Sequence, residues 1–449
     1  MEKYKIQKHD ITLFWKILIP VLIENIINAL FGIMDTAMLG RVDNAAEAIA
    51  AVGLTGSSVN LFVCVFTAFC VGLTVKISQA YGSGDIYGCQ RVAVQTLPVF
   101  TAISLVLSVG MIFAAPYIIM LLGARPDVAG DATTYLRIVA YGLFPQAITI
   151  IITAVYRGVG QTRVPMIYNL SAGLLNVVLN YILINGKLGL PAMRVAGAAW
   201  ATTISKIAAC VASIVFLFVL DTPVRLKVKE LFKNGRERIM PCLRLGLSSG
   251  CEQIILQGGA VVTTAILTEI ATAPYAAYQV SVSIESIIWA ITGAFCVTST
   301  SLAGMAMGEK NKQKVRAVIN FVWKSGLIVA VAIAAIYFFL GKQVAFLYTD
   351  DTQVAALAGV LLKISSIMIF GIITHQTVAG GMRGIGKPLY PLIASLISLW
   401  VFRVFGCFVI VRLLHLGVEW VAAVINCDQI ARGTINLIFY KRLQKKKYI

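Results

Sequence analysis

The chain of 449 residues is 59% hydrophobic and only 13% charged, with a mean hydropathy of +0.85. A soluble domain is about 45–50% apolar and about 25% charged, so a soluble globular protein, a disordered chain and a fibrous one are excluded. Lys plus Arg outnumber Asp plus Glu by 38 to 20, and in so apolar a chain the resulting +18 points to membrane topology rather than nucleic acid.

A bilayer-spanning helix takes about 20 mainly apolar residues. Twelve stretches qualify: 12–39, 48–75, 93–122, 133–155, 165–186, 197–220, 241–269, 276–304, 319–341, 354–380, 391–411 and 420–440. Several are longer than a bilayer requires, which predicts tilted or protruding helices. Long apolar runs in place of strict alternation exclude a β-barrel. The first stretch is too long for a signal-peptide core and is read as a retained first helix.

With the N-terminus inside, the inside segments hold 23 Lys and Arg and the outside loops only five: Arg41, Arg125, Lys187, Arg194 and Lys342. That asymmetry predicts both termini on the cytoplasmic side of a cell membrane, with the basic face against anionic lipid. The nine cysteines (Cys64, Cys70, Cys89, Cys210, Cys242, Cys251, Cys296, Cys407, Cys427) lie in spans or near inside loops and read as buried, inert thiols. His9, His375 and His415 are scattered, with no metal-site or catalytic spacing, and no Walker motif is present. The expectation is a non-enzyme without a cofactor, driven by an ion gradient.

The chain repeats itself. Residues 156–165, YRGVGQTRVP, return as MRGIGKPLYP at 382–391, an offset of 226 from Arg157 to Arg383. Ala68-Phe69-Cys70-Val71 returns at that offset as Ala294-Phe295-Cys296-Val297, and at an offset of 228 Glu24 faces Glu252. Six spans per half is an even number, so both halves enter from the same side. The predicted fold is all-α integral membrane, twelve transmembrane helices in two six-helix bundles related by a pseudo-twofold axis along the membrane normal. The lobes are 1–220 and 241–449, joined by the basic cytoplasmic linker 221–240.

Ionisable groups inside a membrane are costly and mark function. Glu24, Asp35, Glu252, Glu269, Glu285 and Asp428 fall within spans, Glu269 at an outer end. Glu24 and Asp35 share a helix face, about three turns apart, with Asn28 between them and Pro20 four residues before Glu24. Thr263 stands at the repeat position of Asp35, so the lobes differ in charge. Tyr278, Ser281, Glu285, Trp289 and Thr292 recur on one face of the eighth span, an acid beside aromatics that suits a lipophilic cation. Asn176 and Asn180, an i, i+4 pair, offer oxygens to a cation such as Na⁺ or bond to Asp35; interhelical hydrogen bonding is the alternative. Asp428 and Arg432 neutralise each other within one helix, and Arg403 and Lys363 fit snorkelling near helix ends. A buried acid that exchanges H⁺ or Na⁺ is the physical basis for coupling, and Glu252→Gln is expected to abolish gradient-driven transport.

Several short motifs carry a family resemblance. They are Met34-Asp35-Thr36-Ala37-Met38-Leu39-Gly40, Gln79-Ala80-Tyr81-Gly82-Ser83-Gly84-Asp85, the Arg157-Gly158 and Arg383-Gly384 loops with Gly160 and Gly386, Asn176 to Asn180, and Gly197-Ala198-Ala199-Trp200-Ala201-Thr202. In their order, spacing and duplication the chain resembles the multidrug and toxic compound extrusion (MATE) transporters of the MOP flippase superfamily. The resemblance implies a V-shaped, monomeric exporter of cationic or aromatic compounds in exchange for H⁺ or Na⁺. It implies that Asp35 serves an N-lobe cation site with Asn176 and Thr202, and that Glu252 serves C-lobe coupling, with Glu24 its repeat partner. Na⁺ would sit at Asp35, Asn176 and Asn180 or at Glu252. Glu285, with Tyr278, Trp289 and Asn28, is assigned to substrate. Asn180 stands where one branch has Asp, and no carboxylate lies between Asp351 and Glu419, so the tenth-helix Asp of another branch is absent. The alternative function is a flippase for a lipid-linked saccharide or other lipid.

Overall fold

The computed structural model describes residues 5–39, 45–123, 126–220, 222, 239–267, 272–349, 351–446 and 448. The segment 223–238 of the basic linker, Glu269, Arg41 and Arg125 lie outside them. Among the described residues every regular element is helical. The first nine are α1 (Lys8–Leu39), α2 (Ala45–Gly82), α3 (Ile86–Leu121), α4 (Pro126–Gly158), α5 (Arg163–Asn185), α6 (Arg194–Val219), α7 (Ile239–Leu267), α8 (Thr272–Gly308) and α9 (Lys312–Phe346). Then come α10 (Thr352–Ser365), α11 (Met368–Gly384), α12 (Leu389–Ile397), a π-helical turn (Ser398–Val404), α13 (Phe405–Phe408), a second π-helical turn (Val409–Leu413) and α14 (Val418–Lys445).

Ten segments among the described residues are long and apolar enough to cross a membrane, one of them the continuous run 389–413. The predicted span 354–380 is a bent pair, with α10 and α11 meeting at 52°. At the bend the Ser366 hydroxyl and backbone N–H both donate to the Lys363 carbonyl, at 2.7 and 3.4 Å, in place of regular helix bonds. The twelfth stretch is α14; its 28 residues include Glu419, Arg442 and Lys445 and the buried Asp428 and Arg432, so composition alone does not mark it as a span. Large apolar side chains stand outward on the long helices, Phe113, Leu121, Ile328 and Phe339 each more than 70% exposed. That exposure fits hydrocarbon, where helices satisfy their own backbone groups.

Two compact units form. The N-terminal unit comprises Ile23–Tyr81 and Asp85–Gly246, and the C-terminal unit comprises residues up to Leu22, Gly82–Gly84 and Leu247 onward. Helices α1 and α7 therefore each divide between the units. In the N-terminal unit α4 packs on α3 and α6, and α5 on α6. Leu143, Ala147, Ile151 and Val155 carry the buried face of α4. In the C-terminal unit α11 packs on α8, α9 and α14, burying Val378 and Met382. Cys427 is exposed and Cys64, Cys251 and Cys296 are only partly buried, against the expectation that all nine thiols are buried.

The duplication reaches individual hydrogen bonds. Asp85 caps α3 by accepting from Gly88 N–H at 2.7 Å, and Asn311, its counterpart in the second half, caps α9 by accepting from Lys314 N–H at 3.0 Å. Thr74 donates to the Ala154 carbonyl at 3.1 Å, and its counterpart Thr300 to that of Gly380 at 3.0 Å. Gly160 and Gly386 close α4 and α11 at φ of 74° and 79°, a left-handed conformation that glycine adopts without cost.

Gly371 brings the α11 backbone against α14. A Cβ there would lie 2.6 Å from the Gln429 carbonyl and 2.7 Å from Ile430 N. Gly371→Ala is expected to destabilise the fold by about 1–3 kcal/mol, the usual cost of overpacking. Thermal unfolding in detergent measures it, and an unchanged melting temperature would contradict this contact.

Candidate transport sites

The first site lies in the N-terminal unit. Asn180 Nδ2 donates to Asp35 Oδ1 at 2.7 Å and to Asn176 Oδ1 at 3.2 Å. The i, i+4 spacing puts both amides on one face of α5. Asn176 Nδ2 donates to Thr202 Oγ1 at 3.4 Å. With the Asn176 amide turned over, its N–H donates to Asp35 Oδ1 at 3.1 Å and its oxygen accepts from Thr202 N–H at 3.2 Å. Tyr135 of α4 hydrogen-bonds Thr202 and stands within electrostatic reach of Asp35. Helices α1, α4, α5 and α6 thus assemble one carboxylate, two amides and two hydroxyls, and among the described residues no Lys or Arg pairs with Asp35. Asn180 Oδ1 is buried without a hydrogen-bond partner. Carboxylate, amide and hydroxyl oxygens are the ligands hard cations prefer. Thr263, at the repeat position of Asp35, is buried and donates to the Gly259 carbonyl at 2.7 Å, so no second copy of this site exists there.

Glu24 and Glu252 are built differently. Arg383 Nη2 donates to Glu252 Oε2 at 2.7 Å, and the Ser395 hydroxyl donates to Oε1 at 2.9 Å. In the other unit Arg157 Nη2 donates to Glu24 Oε1 at 3.3 Å, and Asn169 Nδ2 donates to the same oxygen at 2.7 Å. Arg157 and Arg383 are repeat counterparts, and so, at the same offset, are Asn169 and Ser395. One acid–guanidinium–polar triad therefore occurs in each unit, tighter in the C-terminal copy. Asn28, expected between Glu24 and Asp35, has an exposed side chain.

The third site is a cavity of about 250 Å³ in the C-terminal unit. Helix α8 lines it with Tyr278, Ser281, Glu285 and Trp289, while Thr292 of the same predicted face is buried outside it. Arg403 lines it as well, which revises the reading of Arg403 as a snorkelling end residue. It projects from the π-helical turn, whose wider winding re-aims side chains. Lys363 ends α10, its ammonium 4.5 Å from the Phe338 ring centre.

Beside the cavity, Arg432 Nη2 donates to both Asp428 oxygens at 2.8 Å and Nε donates to Ser398 Oγ at 2.9 Å. Both partners are at most 1% exposed. His375 is buried with Nδ1 at 3.0 Å from Asn436 Nδ2.

The family model MatE matches this chain twice, over residues 20–182 and 249–409. One match falls in each half, in step with the internal duplication. The chain belongs to the MatE family. MatE proteins are membrane transporters, not enzymes. Among its relatives, the probable multidrug resistance protein NorM of Thermotoga maritima is 30% identical, aligning 95% of this chain with 91% of the relative. The multidrug resistance protein PmpM of Pseudomonas aeruginosa is 24% identical over 85% of this chain and 80% of its own length. Of the solved structures, a MATE protein in complex with MaD3S superposes with a TM-score of 0.90 at 22% identity, covering 99% of this chain and 100% of the other. A MOP superfamily transporter from Pyrococcus furiosus superposes at 0.89, also 22% identical and covering 98% of both chains. The two MatE matches include Asp35, both glutamate–arginine pairs, Glu285 and Arg403, and leave out Thr202, Asp428, Gln429 and Arg432.

Sequence reasoning named every acid of these MatE sites but not Arg157, Arg383, Asn169 or Ser395 as their partners. The signal was present: an acid and an Arg-Gly loop both recur near the same offset. Tyr135, Arg403 and Gln429 carried no such signal.

Proposed function

We propose that this chain is a secondary active multidrug exporter, moving amphipathic aromatic compounds that bear a cationic group in exchange for H⁺ or Na⁺. The observation that carries it is the Asp35 cluster, a carboxylate whose hydrogen-bond partners are all neutral. A proton or Na⁺ neutralises such an acid without breaking an ion pair. Glu24 and Glu252 must first leave Arg157 and Arg383, so their exchange is tied to a change of helix packing. The Glu285 cavity, with its indole and phenol, supports recognition of aromatic cations. The printed names of the relatives, multidrug resistance proteins, support the substrate class. The Lys/Arg asymmetry supports a cytoplasmic-membrane protein with both termini inside and the basic face on anionic lipid, and the chain is read as a monomer.

Proteoliposome uptake of a fluorescent organic cation under imposed pH and Na⁺ gradients tests this reading. Accumulation under one gradient is expected. Lipid translocation with no cation movement under either gradient would replace it with the flippase reading. In the same assay Glu252→Gln is expected to lose gradient-driven uptake, because an amide cannot exchange a cation or hold Arg383 by charge; near-normal uptake would remove Glu252 from the coupling set.

A further inference from the structure

Helix α6 carries a lysine, Lys206, midway along its length. Trp200, Ile204, Ile207 and Val211 are exposed and mark the lipid side of that helix. Lys206 lies on the opposite side, four residues and so one turn after Thr202, facing its own bundle. Gly142 of α4 makes room for its stem: a Cβ there would lie 3.2 Å from Lys206 Cδ. The lysine is partly buried, yet among the described residues no hydrogen bond or ion pair reaches it. A cation inside a membrane bundle is costly, and such groups pair with an acid or mark an ion path. Helix α6 packs on α4 and α5. Helices α5 and α6 carry no acid, and Asp127 and Asp131 stand in the first two turns of α4, about 16 Å or more along the axis from Gly142. Tyr135 is the titratable group of α4 at this face, through its bond to Thr202. Glu24 is held by Arg157. Among the described acids within the spans of the N-terminal unit, that leaves Asp35.

The duplication shows the reach of this position. At the offset of 226, Lys206 corresponds to Arg432 and Thr202 to Asp428. In the C-terminal unit Arg432 reaches back one turn along its helix and donates to Asp428 at 2.8 Å. In the N-terminal unit the helix lacks that acid. Thr202 bonds Tyr135 and Asn176 instead, and Asn176, with its amide turned over, donates to Asp35 at 3.1 Å. A carboxylate thus stands beside the place that the cation of this position serves in the other copy.

We propose that Lys206 is a tethered counter-ion for Asp35: with no ion bound, its ammonium swings back one turn along α6 and takes the carboxylate, and H⁺ or Na⁺ binds by displacing it. The arrangement seen, with the lysine stem over Gly142 and Asp35 on Asn180, is the ion-accepting one. Helix side chains lean toward the N-terminus of their helix, which for Lys206 is toward Thr202. A compact charge on a flexible four-carbon stem suits the movement. Such competition weakens apparent affinity by the fraction of sites left open, about tenfold where the pair is closed nine-tenths of the time. It also spares the unloaded bundle two separate bare charges. The assignment rests on the reading of Asp35 as the ion site.

The test follows the melting temperature of the full chain in detergent as Na⁺ is raised at fixed pH and, separately, as the pH is lowered without Na⁺. A cation that binds the folded protein raises that temperature. The component of the rise that Asp35→Asn removes reports this site. Lys206→Met and Lys206→Gln are each expected to move its midpoint to an at least about tenfold lower cation concentration, which for H⁺ is about one pH unit higher. Lys206→Arg keeps the charge and is expected to stay within about threefold of the unaltered chain. A gain in affinity separates competition from damage, because losing a lysine that only supports the fold weakens binding or leaves it unchanged. A midpoint that is unmoved, or moved to higher concentration, in the neutral variants overturns the proposal. So does failure of both neutral variants to fold, which would make Lys206 a structural group. Gradient-driven uptake of an organic cation on the same preparations separates the two readings. Uptake lost in Asp35→Asn, with an unmoved midpoint in Lys206→Met, keeps the ion site and removes the counter-ion; no component that depends on Asp35 removes both.

Discussion

Asp35→Asn is expected to reduce gradient-driven uptake to the leak rate of empty liposomes, a loss of at least about tenfold, while leaving the folded protein intact. Asn has the shape of Asp and keeps an oxygen for the Asn180 amide, which reaches Asp35 at 2.7 Å. What disappears is the charge. The remaining cluster of Asn176, Asn180, Thr202 and Tyr135 consists of neutral dipoles, which solvate a cation but do not neutralise it. The equivalent position of the C-terminal unit supplies no replacement, because Thr263 stands there. Initial rates in proteoliposomes under separate pH and Na⁺ gradients measure the effect. Asp35→Glu keeps the charge and is expected to retain some coupling. Uptake above half the normal rate in Asp35→Asn, under the gradient that drives the unaltered protein, would move the coupling site elsewhere.

Arg383→Met is expected to destabilise the protein by about 3–5 kcal/mol, the cost of leaving a buried charge without its partner. Glu252 is 1% exposed and its carboxylate accepts from Arg383 at 2.7 Å. Among the described residues Ser395 alone remains to satisfy it. Adding Glu252→Gln to Arg383→Met is expected to restore most of that loss, because a neutral amide tolerates the apolar neighbour. The matching substitution in the other unit, Arg157→Met, should cost less. There the separation is 3.3 Å, the arginine side chain is 20% exposed, and Asn169 donates to the same oxygen at 2.7 Å. Denaturant unfolding in detergent of the two single variants and the double variant decides the matter. Equal losses in both units, or no rescue by Glu252→Gln, would contradict the ion-pair account.

The helices were legible in the sequence because a bilayer imposes a length and a composition, and both are written in the chain. The predicted stretch 165–186 differs from Arg163–Asn185 by two residues at one end and one at the other. The bend between α10 and α11 was not legible, since no proline marks it and the break rests on the bonds of Ser366. The acids were legible for the same reason as the spans: a charge in an apolar run stands out. Their partners were harder. Asn176 and Asn180 share a visible helical spacing with one another, whereas the distance from Glu252 to Arg383 spans 131 positions and depends on packing. Arg403 was read only as fitting a helix end, because nothing in the sequence marks the π-helical turn from which it lines the cavity.

The paired triads also carry a history. Helix caps, the Thr74 and Thr300 bonds and the glutamate–arginine contacts occur in both halves, so they belong to the segment that was copied. The groups of the Asp35 cluster and of the Glu285 cavity do not. Asp35 corresponds to Thr263, Glu285 to Val59 and Arg403 to Val177. The ancestral half thus contributed a framework stable in lipid, and after doubling one copy kept or acquired the Asp35 cluster and the other the Glu285 cavity. Division of labour between twins, rather than symmetry, is what the duplication made available.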